Sequence, residues 1–210
     1  KQTGRSMLGP VGLFLGAWLV MGAAVDLWLR TGRSGMARLF RLPRADWGRA
    51  VAHAGFGVTV FGIAGLTAWQ SDDIRVAQLG QPFDMGGYTL TLTDVQRGEG
   101  PNYFATTGFV TLAKNGREIA QLRPEKRVYP VAQMPTTEAA IDQSLARDVY
   151  VVIGDEQDAG GWAIRTYIKP LVNWIWIGCA LMALGGGLSL SDRRFRVAAG
   201  ARKAQAVPAQ

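Results

Sequence analysis

The chain has 210 residues, 48% of them apolar, with 23 Lys and Arg against 16 Asp and Glu, a formal net charge of +7, one Cys and one His. A single cysteine excludes a disulfide framework and dithiol exchange within the chain, and a single histidine excludes a metal site built from several imidazoles. The apolar residues gather into three blocks, 7–29, 50–70 and 171–190, so an ordinary soluble domain with periodic amphipathic elements is excluded as well.

Residues 1–6 form a short N-terminal segment with Lys1 and Arg5. Residues 7–29 are long enough, at about 1.5 Å rise per residue, to cross a hydrocarbon layer of about 30 Å. A signal peptide is disfavoured because the stretch is too long, carries Asp26, and ends in Trp28 and Arg30 instead of a small-residue cleavage site. A chain that starts at Lys1 is expected to be a processed product or a piece of something longer. Residues 30–49 then form an Arg-rich loop, with Arg30, Arg33, Arg38, Arg41, Arg44 and Arg49 against Asp46, net +5.

The second span, residues 50–71, holds the only histidine, His53, close to its Arg-rich end. An ionisable side chain in hydrocarbon is costly, so it is a functional candidate. Two readings stay open at this point. A neutral imidazole can hydrogen-bond a neighbouring helix, as in many membrane bundles, or its Nε2 can ligate a metal or haem iron. Helical spacing puts His53, Phe56, Gly57 and Val60 on one side, where Gly57 is expected to let a flat macrocycle approach the backbone. One histidine cannot complete a bis-histidine site, so a second ligand has to come from elsewhere.

Residues 72–169 read as β. The run at 88–95 alternates apolar residues with Thr, and 108–113 leads through Asn115-Gly116 into 117–122, a strong hairpin signal. A second hairpin is expected between 148–153 and 162–168. Six or so short strands suggest a small barrel or sandwich. Lys169-Pro170 closes the domain, and Pro170 suits the first turn of a third span over 170–190. The remaining residues, 191–210, carry five bases against Asp192, net +4, whereas 71–169 has 13 acids and 10 bases, net −3. The positive-inside rule places 1–6 and 72–169 in the periplasm, and 30–49 and 191–210 in the cytoplasm. The fold class is therefore an α+β membrane protein with three transmembrane helices and a β-rich periplasmic domain between the second and third. The basic isoelectric balance reports topology and gives no support to nucleic-acid binding.

Other patterns carry less. Asp155, Glu156 and Asp158 fail the EF-hand spacing, because the twelfth position is Thr166. Gly185-Gly186-Gly187 lacks the Lys-Ser/Thr of a phosphate loop and suits close helix packing. Cys179 lies mid-span, where it serves as a small apolar residue. The basic-aromatic run 123–130 reads as a solvated strand and loop, with a docking surface for an acidic partner as the sharper alternative.

Three stretches together resemble one family: Ala52-His-Ala-Gly-Phe-Gly-Val58 after an Arg-rich loop, Pro135-Thr-Thr-Glu-Ala-Ala-Ile141, and 162–196 with Lys169-Pro-Leu-Val-Asn-Trp-Ile-Trp-Ile-Gly178 at its centre. They look like the C-terminal portion of the CcmF/NrfE haem lyase family of cytochrome c-type biogenesis proteins. The resemblance covers essentially all 210 residues and about the last third of the family's length. It implies a multi-pass protein of the bacterial inner membrane that receives haem from a periplasmic haem chaperone. The haem is delivered to apocytochrome c, with thiol-reducing and chaperone subunits as further partners. It also implies a membrane b-type haem, with His53 similar to one axial ligand and Gly57 beside it. The family's tryptophan-rich periplasmic motif, its flanking histidines and the other b-haem ligand have no counterpart here, since Trp174 and Trp176 fall in the third span. The segment alone is not expected to be a competent ligase. A contrasting reading is a non-catalytic, membrane-anchored β interaction module in which His53 is satisfied by packing.

The topology is open to a direct check. Alkaline phosphatase fused after Gly116 is expected to be active, and after Arg202 inactive; the reverse pattern would sink the orientation.

Overall fold

The computed structural model describes residues 8–32, 38–131, 133–158 and 160–192. The expected segments 1–6 and 193–210, together with 33–37 of the Arg-rich loop, lie outside the described residues. Two compact units divide the chain. One contains the helices α1 (Leu8–Thr31), α3 (Val172–Leu190) and most of α2 (Arg44–Trp69); the other contains ten strands.

All three helices are long and apolar enough to cross a membrane. The second begins at Arg44, six residues before the apolar block, so the Arg-rich loop is shorter than hydropathy alone suggests. Pro43 starts it, its carbonyl accepting from the amides of Asp46 at 3.0 Å and Trp47 at 3.4 Å. Asp46 in the first turn favours the positive end of the helix dipole. The amide of Ala45 donates to Asp192 Oδ2 at 3.0 Å, so a carboxylate following α3 caps α2.

Small residues decide how these helices pack. On α2, Gly48, Gly55 and Gly62 recur every seven residues, and on α3 Gly178 and Gly185 do the same. A Cβ at Gly55 would lie 2.7 Å from the Gly178 carbonyl oxygen, and one at Gly185 would lie 2.6 Å from that of Gly48. The two backbones thus run antiparallel at glycine-only separation. On the opposite flank, Gly16 of α1 and Gly57 of α2 meet in the same way, each missing Cβ standing 2.8 Å from the other's carbonyl oxygen. In the run 185–187, Gly185 alone is part of the packing, because a Cβ at Gly186 or Gly187 would meet nothing within 4 Å.

The strand unit is a sandwich. One sheet has the order β1 (Ser71–Ala77), β10 (Trp162–Pro170), β9 (Arg147–Glu156), β8 (Ala140–Gln143). The other has the order β2 (Pro82–Met85), β3 (Tyr88–Glu99), β4 (Phe104–Lys114), β6 (Glu125–Tyr129), β7 (Met134–Glu138), with β5 (Arg117–Leu122) also on β4. Every pairing is antiparallel. Both expected hairpins are present. Asn115 and Gly116 have φ of 53° and 75°, the two positive values that a two-residue turn of this twist needs, and Lys114 pairs with Arg117. The expectation of about six short strands is corrected: there are ten among the described residues, and β3 and β4 have 12 and 11 residues. Strand β6 falls in the run 123–130 expected as a solvated strand and loop, whereas β7, which carries Pro135, and β8 lack the alternation that marks a strand.

The core is where the two sheets face each other. Leu90, Leu92, Val110 and Leu112 from one sheet meet Val149, Val151, Ile153 and Ile164 from the other, all at 0–1% exposure. Burying each such side chain is worth about 1.5–3 kcal/mol. Arg147 links the sheets at one edge: its Nε donates to the Tyr88 hydroxyl at 2.7 Å, and Nη1 pairs with Asp142. Partial burial opposes that charge, but the hydrogen bonds from Tyr88 and Asp142 outweigh it and hold the guanidinium above its usual range.

Residues 72–169, excised, are expected to give strand-type circular dichroism and a cooperative melt, with Leu112→Ala costing about 2–5 kcal/mol in urea titration. A disordered spectrum would show that the sandwich cannot close by itself. In the full chain, Gly185→Leu is expected to lower the melting temperature of detergent-solubilised protein sharply, and Gly186→Leu to leave it nearly unchanged. Equal effects at both positions would contradict the packing assigned to Gly185.

Candidate functional site

His53 lies on α2, one turn beyond Arg49 and exposed at the surface of the three-helix unit. Its Nδ1 stands 2.8 Å from the Arg49 carbonyl oxygen. A carbonyl only accepts, so the ring proton is on Nδ1 and, in the neutral ring, Nε2 keeps its lone pair. Ligating histidines are commonly oriented in this way, with a carbonyl holding the nitrogen that the metal does not use. The i−4 carbonyl is present in any helix, so this contact could not be read from residue types.

Beside the imidazole is a pocket of about 380 Å³ between α1 and α2. Trp18, Leu19, Ala23 and Ala50 supply apolar wall, and at Gly22 a Cβ would meet nothing within 4 Å. Asp26 and Arg49 line its polar end. These belong to a four-membered ion cluster tying α1 to α2. Arg30 Nε reaches Asp26 Oδ2 at 3.2 Å and its Nη1 reaches Asp46 Oδ1 at 3.1 Å; Arg49 Nη2 reaches the same two oxygens at 2.9 Å and 3.5 Å. Two cations and two anions leave the cluster formally neutral, which suits a site that sequence places at a membrane boundary.

The face expected to carry both His53 and Gly57 is split. His53 and Phe56 are exposed, Phe56 by 51%, whereas Gly57 is buried with its α-carbon against Gly16, Leu19 and Val20 of α1. The space left by its missing Cβ is therefore taken by a neighbouring helix, a correction to the expectation that it admits a macrocycle. Gly57 shapes the pocket indirectly, by bringing α1 close. The open glycine beside the pocket is Gly22, which sequence reading missed; its position one turn before Asp26 was the available signal.

These residues fit a haem in donor chemistry. An imidazole whose Nδ1 is held by the Arg49 carbonyl opens beside a largely apolar concavity that has Arg49 and Asp26 at one end. No cluster of three or more His, Cys, Asp or Glu that could hold a metal ion occurs among the described residues. Cys179 is a free thiol on an exposed face of α3.

A second concavity, of about 530 Å³, lies within the sandwich unit near Phe104 and Trp162. Four of its charged residues are paired, Arg97 with Glu156 at 2.9 Å and Lys126 with Asp155, and Glu99 also lines it. The bases of the run 123–130 are similarly engaged, Arg127 with Glu125 at 2.8 Å and Glu138 at 3.5 Å, while Arg123 stacks over Phe109 at 5.3 Å. Arg123, exposed, has a ring and not a carboxylate as its recorded neighbour.

Residues 68–170 match the sequence model described as the CcmF C-terminal beta-sandwich. The cytochrome c-type biogenesis protein ccl1 of Rhodobacter capsulatus is 55% identical over 202 residues, which span 96% of this chain. The chain belongs to the CcmF family. CcmF of Pseudomonas aeruginosa is 40% identical over 87% of the chain, and CcmF of Escherichia coli is 37% identical over 89%. The chain spans only 31%, 28% and 28% of these three relatives, respectively. A solved structure titled Cytochrome c Heme Lyase CcmF shares the fold, with a TM-score of 0.63 and 21% identity, covering 89% of this chain and 34% of that one. The family's involvement in cytochrome c-type biogenesis is thus the setting in which the His53 pocket is read.

Proposed function

We propose that this chain supplies the C-terminal part of an integral membrane haem-handling subunit of cytochrome c maturation, in which His53 contributes one axial ligand to a b-type haem. The single observation that carries this is the Nδ1 contact to the Arg49 carbonyl, which leaves Nε2 as the free donor beside an apolar pocket. A haem held there would supply one-electron chemistry, keeping transferred haem ferrous while thioether bonds form on apocytochrome c. The chain's own residues do the rest. Arg49 orients the ring through its carbonyl, Gly57 and Gly16 set the spacing of α1, and Trp18 and Leu19 exclude water from the ring's surroundings.

His53 is the only histidine, so a second imidazole ligand would come from outside this segment. In this reading the assembly acts in the bacterial inner membrane with the sandwich in the periplasm. There it meets a haem chaperone, apocytochrome c and the subunits that keep its cysteines reduced.

The test is the haem content and reduced visible spectrum of the purified membrane complex containing this chain. His53→Ala is expected to lose the reducible low-spin haem, Cys179→Ala to retain it, and Gly57→Leu to weaken it by forcing α1 away from α2. Unchanged haem in a normally expressed His53→Ala variant would return this residue to helix packing.

A further inference from the structure

Among the described residues, Arg49 is the cation that lines the His53 pocket. Its guanidinium is 40% exposed, and both of its ion pairs run through Nη2, at 2.9 Å to Asp26 and at a longer 3.5 Å to Asp46. Arg30 already spans the same two carboxylates, at 3.2 Å and 3.1 Å, and does not line the pocket. If Arg49 turned toward another anion, neither aspartate would be left without a cation. The cluster therefore holds one structural arginine and one that it can lend.

We propose that Arg49 receives a carboxylate of the ligand that His53 holds, making this pocket selective for a macrocycle with free acidic substituents. The proposal rests on the reading of His53 as an axial ligand. A carboxylate brought into an apolar, membrane-embedded pocket loses hydration and needs a paired donor. The guanidinium fork meets that need with two parallel hydrogen bonds, a geometry that an ammonium group cannot copy. Asp26 lines the same end of the pocket, so a second anion is tolerated only with Arg49 beside both. Backbone and side chain of one residue then serve the same ligand, the Arg49 carbonyl fixing the imidazole and its guanidinium taking the acid.

The experiment uses the intact membrane complex, stripped of haem and titrated with iron protoporphyrin IX and, separately, with its dimethyl ester, binding being followed in the visible spectrum. The wild type is expected to prefer the free acid by about tenfold or more, the range set by a charge-assisted hydrogen bond. Arg49→Gln is expected to abolish most of that preference, Arg49→Lys to keep part of it, and Arg30→Gln to reduce it, because Asp26 and Asp46 then hold Arg49 as their one remaining cation. The reduction potential of bound haem is expected to become more negative in Arg49→Gln, a change that a packing role would not produce. Equal affinity of the wild type for acid and ester, or an unchanged preference in Arg49→Gln, would overturn the proposal. Binding of both porphyrins that is indifferent to His53→Ala would instead overturn the axial-ligand reading beneath it. Should Arg49→Gln not assemble, the wild-type comparison of acid and ester together with Arg49→Lys decides the question.

Discussion

Carbonyl oxygens standing under 3 Å from where a Cβ would be hold the helical unit together. Gly16 against Gly57 and Gly55 against Gly178 are contacts in which any side chain would separate the helices. Between apolar helices in a lipid environment there is no water to expel, so association depends on such close van der Waals approach. The pocket beside His53 exists because α1 and α2 touch at Gly16 and Gly57 and leave room at Gly22. The exposed Phe14, Trp18, Trp176 and Leu184 then have hydrocarbon as their natural surroundings.

The ion cluster at the pocket's polar end follows a complementary logic. Asp26 and Arg30 end α1, and Asp46 and Arg49 begin α2, so each charge has a partner on its own helix and one on its neighbour. Half-exposed pairs in water would contribute little. Near a membrane boundary, deleting one member leaves the cluster with a net charge where hydration is poor, so the cluster sets the pairing of α1 with α2 more than it adds bulk stability. Asp192, capping α2 from beyond α3, extends the same principle to the third helix.

The sandwich is held by the opposite means. Its core of Leu, Val and Ile is driven together by water, and the register of β3 on β4, with its shift between Leu92 and Asp94, places Leu90 and Leu92 inward. Arg147, Tyr88 and Asp142 close one edge with a hydrogen-bonded clasp. The two units thus answer different solvents, which is why each is compact on its own terms.

Sequence by itself determined the three apolar helices, the Asn115-Gly116 hairpin and the β9–β10 hairpin, because hydropathy and turn chemistry are local properties. The roles of Gly48, Gly55 and Gly62 depend on the backbone they meet on α3, which residue identity along α2 does not give. Helix α2 begins earlier than its hydropathy because Pro43 and the Asp192 cap start it, and the latter is 147 residues away. Strands β6 to β8 form because neighbouring strands supply their hydrogen bonds, although their own residues do not alternate. Tertiary structure alone decided that Gly57 faces α1, that His53 presents Nε2, and that Arg49 shares a pocket with it. These are relations between backbone atoms and between helices, and side-chain identity along one chain does not encode them until the packing is known.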